Sequence, residues 1–168
     1  SYKGLLMGLN YGEVDKVTEI VVGDREVYKG SITSNTTIQI DKPDLFGGDE
    51  SEGGIQGSLD IMFGAPDQPV NSKLAAMFGR AISAYRKRTT LFFDGMVCAL
   101  SKYPKPWKIR RNRRTKGWDG GVWYPEKVSI NLPGGIKAMN GVHIIYEAMT
   151  NRDWGGKKPR SKLNDATF

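Results

Sequence analysis

Residues 89–100, TTLFFDGMVCAL, are apolar on both alternations of an extended chain. Successive side chains of a strand point to opposite faces, so a segment with no polar face has to be covered on both sides. The segment therefore predicts a central strand, with Cys98 an inert buried thiol. The 168 residues include 21 Gly and 8 Pro, which require many turns and favour strands and loops over a helical bundle. The expected class is mainly β with a few short helices (α+β). A lone cysteine can form neither an internal disulfide nor a thiolate zinc site, which is compatible with assembly in a cytoplasm. No run approaches the ~18 apolar residues that span a bilayer.

The segments on either side read as further strands. Tyr2 to Tyr11 is apolar with interspersed glycine, which suits a buried strand. Val14–Val22 and Arg25–Lys29 form a hairpin through Gly23-Asp24. Ser31–Ile40 becomes a half-buried strand in its second half, and in 55–63 Ile55, Gly57, Leu59, Ile61 and Phe63 alternate with Gln56, Ser58, Asp60 and Met62, predicting another half-buried strand. Asn71 or Ser72 caps a two-turn helix that Gly79 stops. Trp107–Arg111 restarts as a strand after Pro104 and Pro106, and Val128–Leu132 is a short strand ahead of Pro133-Gly134-Gly135. Met139 to Gly156 reads as a helix with its N-cap at Asn140 and an apolar face of Val142, Ile145, Tyr146 and Met149. His143 and Glu147 share a different face, and Asn151, Trp154 and Gly155-Gly156 punctuate the exit. These elements suggest a β-rich domain over 1–135 and a helical segment over 136–168, with both ends cut from something larger.

Two segments invite a functional reading. Residues 43–54, PDLFGGDESEGG, place Gly47, Gly48, Gly53 and Gly54 around an acidic tip. No Gly-Lys-Ser/Thr follows to make a phosphate loop, and Asp49, Glu50 and Glu52 lack EF-hand spacing. An exposed loop whose glycines permit positive φ accounts for them. The second is the basic run of Lys108, Arg110, Arg111, Arg113, Arg114 and Lys116, part of a net charge of +7. With Trp107, Trp118 and Trp123 nearby it could track a phosphate backbone and stack bases. A regular pleat puts Arg111 and Arg113 opposite Lys108, Arg110 and Arg114, which divides the charge between two faces. The competing reading is a charged edge strand that discourages unwanted pairing.

Catalytic and metal chemistry have little to stand on. His143 is the one histidine, no Gly-x-Ser-x-Gly elbow presents a serine, and His143 with Glu147 would supply two metal ligands, with Asp153 as a third to be shown. The acidic residues of 49–52 crowd a loop, where a glycosidase would need a carboxyl held in an apolar pocket. Trp118, Asp119 and Trp123 form a candidate sugar contact. The sequence argues for no active site and calls for no cofactor.

The phrase Asn140-x-x-His143-Ile144-Ile145-Tyr146-Glu147, then Thr150-Asn151-Arg152-Asp153-Trp154-Gly155 and Asp165-Ala166-Thr167-Phe168, resembles a run in tail tip (hub) proteins of long-tailed bacteriophages, the host-specificity protein J family. Further segments resemble that family in the same order: LLMGLNYGEVDKVTEIVVGDREVY, PDLFGGDESEGGIQGSLDIMFG, NSKLAAMFG, and Tyr85-Arg86 leading into TTLFFDGMVCALSKYPKPWKIRRNR. Lys87-Arg88 departs from it, because a glycine-containing turn is expected there, and so does the density of the basic run.

The resemblance implies a barrel-like hub domain, the N-terminal portion of a longer protein. It would form a homotrimeric ring at the distal end of the tail tube. Neighbouring tube and tip proteins would be partners, and the host receptor would be met only through regions beyond this portion. It implies a place in the virion tail after assembly in the host cytoplasm, and no catalysis. Gly47, Gly48, Gly53, Gly54, Lys108, Arg110, Arg111, Arg113 and Arg114 are then the candidate subunit contacts. The alternative is a nucleic-acid-binding domain using 108–116 and the tryptophans.

Overall fold

The computed structural model describes residues 1–98, 103–113, 124–164 and 166. The chain forms two compact units, Ser1–Arg113 and Arg114–Phe168. The expected boundary at 135/136 falls inside the second unit, within a hairpin turn.

The first unit is built from β1 (Tyr2–Tyr11), β2 (Val14–Val22), β3 (Arg25–Ile32), β4 (Thr36–Lys42), β5 (Ile55–Met62), α1 (Ser72–Phe78), β6 (Arg88–Met96) and β7 (Trp107–Arg113). One sheet has the order β1-β6-β5-β4 and a second β3-β2-β7, every pairing antiparallel. Both sheets are open rather than closed into a barrel: β1 and β4 border one, β3 and β7 the other. The doubly apolar segment is the inner strand β6, as expected, although it ends at Met96, and Ala99 and Leu100 lie outside the described residues.

Alternation along β6 decides what each face covers. Leu91 and Phe93 point into the main core with Leu59 and Ile61 of β5 and with Val14, Val17, Ile20 and Val22 of β2. Phe93 meets Trp107 of β7 at 5.2 Å between ring centroids, at a 48° tilt. Phe92 points the other way, into a smaller cluster with Met62 and Leu74. A one-residue slip would exchange these two faces, so the register is pinned by burial on both sides.

Hairpin β2–β3 turns at Gly23-Asp24 as expected, with Gly23 at φ +62°. Strand β5 departs from the expected half-buried pattern. Asp60 and Met62 on its second face are buried as well as Leu59 and Ile61. The cause is α1, which covers that face through Leu74. Helix α1 starts where expected: the Asn71 side chain accepts from the Leu74 amide at 3.0 Å, and Gly79 ends it at φ +71°.

The turn into β6 carries Tyr85 at φ +51° and Lys87 at φ +57°. These are left-handed conformations that cost a residue with a Cβ about 1–2 kcal/mol, and they lie where a glycine-containing turn was expected. Surrounding bonds fix them: the Lys87 amide donates to Gly64 O and the Gly12 amide to Lys87 O, each at 2.7 Å.

The second unit contains β8 (Ser129–Leu132), β9 (Ile136–Met139) and α2 (Gly141–Thr150). Strand β9 was not anticipated; it pairs antiparallel with β8 through a turn with Gly134 and Gly135 at φ +82° and +74°. Asn140 joins hairpin to helix. Its amide donates to Val128 O (2.9 Å), its side-chain nitrogen to Lys127 O (3.0 Å), and its side-chain oxygen caps the Val142 amide (3.0 Å). The buried face of α2 is His143, Tyr146 and Thr150, while Ile145 is 54% exposed. The expected inward stripe is therefore rotated: Tyr146 keeps its place, Ile145 turns out, and His143 turns in. Thr150 tolerates burial because its hydroxyl donates to Tyr146 O at 2.9 Å.

Phe93→Ala should lower unfolding free energy by roughly 3–5 kcal/mol, because the lost burial leaves a cavity between two sheets; urea denaturation measures it. Lys87→Gly should raise stability by roughly 0.5–1 kcal/mol by relieving the left-handed strain, read in the same assay.

Candidate functional site

The acidic loop is a closed structure, and its glycines serve the closure. The Phe46 amide donates to Gly53 O and the Gly53 amide to Gly48 O, each at 2.8 Å, while the Gly47 amide reaches Asp44 O at 3.0 Å. Gly47, Gly48 and Gly53 hold φ of +99°, +70° and +72°. A Cβ on Gly54 would lie 2.0 Å from Lys42 O, so only glycine lets the backbone pass there. Gly48, Gly53 and Gly54 are buried and Gly47 alone of the four is exposed. Of the four candidate contact glycines, three are thus withdrawn from any partner. What the loop presents outward is Asp49, Glu50, Ser51 and Glu52.

The basic run is in part the edge strand β7, paired to β2 on one side. Lys108 and Arg110 lie outward between the half-buried Trp107 and Ile109. Each is matched by a carboxylate from β2 or its turn: Lys108 Nζ to Asp24 at 3.0 Å, Arg110 to Glu19 at 3.0 Å. The hydrogen bond from Lys108 holds the Asp24 carboxyl below its ordinary range. Opposite Arg110, strand β2 bulges between Val17 and Glu19, and the Thr18 hydroxyl donates to Arg110 O at 3.2 Å. Arg111 is exposed. Arg113 ends the strand with its side chain outside the described residues, as are Arg114, Lys116, Trp118, Asp119 and Trp123.

The two candidate segments meet. Lys105, just ahead of β7, pairs with Glu52 of the acidic loop and sits 4.8 Å over the Phe46 ring. Its hydrogen bond to Glu52 raises the Lys105 ammonium pKa. The β2–β3 turn lies beside them: a Cβ on Gly23 would stand 3.2 Å from the Lys105 side chain and 3.6 Å from Phe46. The sequence reading missed Lys105, which lies between two prolines outside the run that drew attention. Loop, turn and β7 form one end of the sandwich, with Asp49 and Glu50 at its acidic margin and Arg110 and Arg111 along its basic edge.

A second polar constellation was not foreseen. Asp60, 6% exposed, accepts from Thr37 Oγ1 (2.7 Å), Lys73 Nζ (2.9 Å) and Asn71 Nδ2 (2.8 Å), and Lys73 also donates to Ser58 Oγ (2.8 Å). Burial pushes this carboxyl up, but the bonds from Asn71, Lys73 and Thr37, with the charge of Lys73, outweigh it and hold it below its ordinary value. The available signal was a carboxylate on β5 followed by the capping residue and first-turn lysine of the next helix.

His143 belongs to the interior of α2, whereas the Glu147 carboxylate accepts from Asn151 Nδ2 at 2.7 Å. Asn151 is the centre of the helix exit: its Oδ1 accepts from the amides of Asp153 (2.8 Å) and Trp154 (3.1 Å), and its own amide donates to Glu147 O (2.9 Å). A Cβ on Gly155 would lie 2.3 Å from Ala148 O. The Asn-Arg-Asp-Trp-Gly phrase therefore encodes a tight helix stop. Among the described residues no three His, Cys, Asp or Glu side chains gather as a metal site, and no helix is long and apolar enough to cross a membrane.

No protein-family model matches the chain, and a search of curated proteins finds no matching relative.

Asp60→Asn should cost roughly 1–3 kcal/mol at neutral pH. A carboxyl whose folded pKa is depressed contributes fully above its unfolded pKa of about 3.9, and the contribution is lost as pH falls through the lower folded value. The native chain should therefore lose stability in acid more steeply than Asp60→Asn, as followed by circular dichroism.

Proposed function

We propose that this chain is the N-terminal portion of a tail tip (hub) protein of a long-tailed bacteriophage. In this reading it is a structural part that assembles as a homotrimer into a ring at the distal end of the tail tube, in the virion tail, after synthesis in the host cytoplasm. The ring continues the tube and connects it to receptor-binding parts. It requires no catalytic residue and no cofactor. The ordered resemblance of its segments is the starting point of this reading.

The observation that carries it is the charge-bridged end of the sandwich. A ring needs one patch of each copy to meet a different patch of the next. Here a closed loop with outward carboxylates and an edge strand with outward cations stand on one unit, both held by internal bonds before any partner arrives. Preorganised surfaces lose little freedom on association. The resemblance implies a barrel-like domain, whereas the two sheets of the unit are open; in this reading the edges β1, β4, β3 and β7 are where neighbouring copies would join. Gly47, the carboxylates of 49–52, Arg110 and Arg111 are the contacts this reading selects.

The nucleic-acid alternative draws on the same strand, where Lys108 and Arg110 are paired with Asp24 and Glu19 in exposed pairs that a phosphate or a neighbour's carboxylate would each have to exchange. Each such pair lowers the number of phosphates the edge can neutralise, and with it the salt dependence of binding.

Arg110→Gln with Arg111→Glu should reduce self-association at least about tenfold, a loss of 1.4 kcal/mol or more, while the melting temperature stays within a few degrees. Sedimentation equilibrium and thermal melting check both. Unchanged association would remove β7 from the interface, and duplex DNA retained by the native chain with a steep salt slope would favour the alternative.

A further inference from the structure

We propose that residues 70–83, α1 with its flanks, form a latched flap that opens from the sheet as a separate unit, with Asp60 as the latch. Strands β5 and β6 are direct antiparallel neighbours, a junction that about two to five residues can make. Instead residues 63–87 leave the sheet and return to it.

The base of this excursion is firmly closed around Gln68, which is 2% exposed. Gln68 Oε1 accepts from the Gly64 amide (2.8 Å) and from Asn35 Nδ2 (3.3 Å), its side-chain nitrogen donates to Ala84 O (2.6 Å), and Arg86 Nε donates to Gln68 O (3.0 Å). Beyond that clamp the hold is slight. Leu74 is the one buried residue of α1, and among the described residues its cluster holds Met62 and Phe92, with Ile82 and Tyr85 partly buried beside them. A helix of seven residues does not stand alone in water.

The remaining polar attachment centres on Asp60, with a further bond from Lys73 Nζ to Ser58 Oγ at 2.8 Å. Asn71 and Lys73, one capping α1 and one in its first turn, both reach Asp60 on β5. Phe78 is 61% exposed on the flap, and Met77, 53% exposed, reaches back toward β1, where its Cε would stand 3.0 Å from a Cβ on Gly4. Opening uncovers Phe92 and Met62, and Leu6 stands directly opposite Phe92 in the β1–β6 register. The main core lies on the other face of the sheet and packs without α1. The flap therefore gates an apolar sheet face at little cost to the rest of the unit, as a low-stability cooperative segment does.

Native-state hydrogen exchange of the full chain tests this. Amides of Ala75 to Gly79 should be protected at least about tenfold less than those of Phe92 and Phe93. Asp60→Asn should speed exchange in α1 by roughly tenfold, the worth of a hydrogen bond to a charged group, and should speed β2 and β6 by no more than that factor, so that α1 keeps its lower protection. Lys73→Met, which keeps the carboxylate and its bonds to Asn71 and Thr37 but removes its cation, should speed the same amides by at least as large a factor. Simple fraying of the helix end would not respond to a residue on β5. Equal protection of α1 and β6, in the native chain or in either variant, would overturn the proposal.

Discussion

Phe93 between two sheets is the contact on which the first unit depends. It lies on the inner strand β6, is fully buried, and meets Trp107 across the gap between sheets. Neither sheet is stable without the apolar cover of the other, and burial of one phenylalanine contributes about 1.5–3 kcal/mol. The alternation of β6 then assigns everything else: Leu91 and Phe93 to the main core, Phe92 to the face that α1 covers. The positions of the acidic loop, the β2–β3 turn and β7 at one end follow from that stacking.

The unit uses charge in two different ways. At the exposed end, Lys105 with Glu52, Lys108 with Asp24 and Arg110 with Glu19 tie surface segments together, and such pairs contribute little to stability. They fix the shape of an edge. Around Asp60 the carboxylate is buried while Lys73 stays 38% exposed, and removing its donors leaves that carboxylate uncompensated at greater cost. One set serves a surface, the other a docked helix.

Much of this was legible in the residues. Strand β6 showed in its double apolar pattern, the β2–β3 hairpin in Gly23-Asp24, α1 in its Asn71 cap and Gly79 stop, and β7 as a charged edge. What escaped depended on tertiary neighbours. The second face of β5 looked wet because Asp60 and Ser58 are polar, and only α1 makes that face an interior. The buried stripe of α2 was misplaced by one position because hydrophobicity favoured Ile145 over His143, and burial followed packing instead. Strand β9 was hidden by a short apolar stretch beside a helix start. Of the segments singled out, the acidic tip is exposed and β7 is an edge strand, but Gly48, Gly53 and Gly54 were read as surface when their lack of a Cβ serves the inside of the loop. The meeting of the two segments rests on Lys105, which no local pattern distinguishes.

On the proposed function the chain is a self-assembling structural module whose specificity lies in shape and edge charge. Electron-microscope images of the purified chain at high concentration test that most directly. The account predicts threefold rings with an open centre. Single particles that stay monomeric at every concentration, while the same preparation binds duplex DNA and releases it steeply with salt, would contradict it.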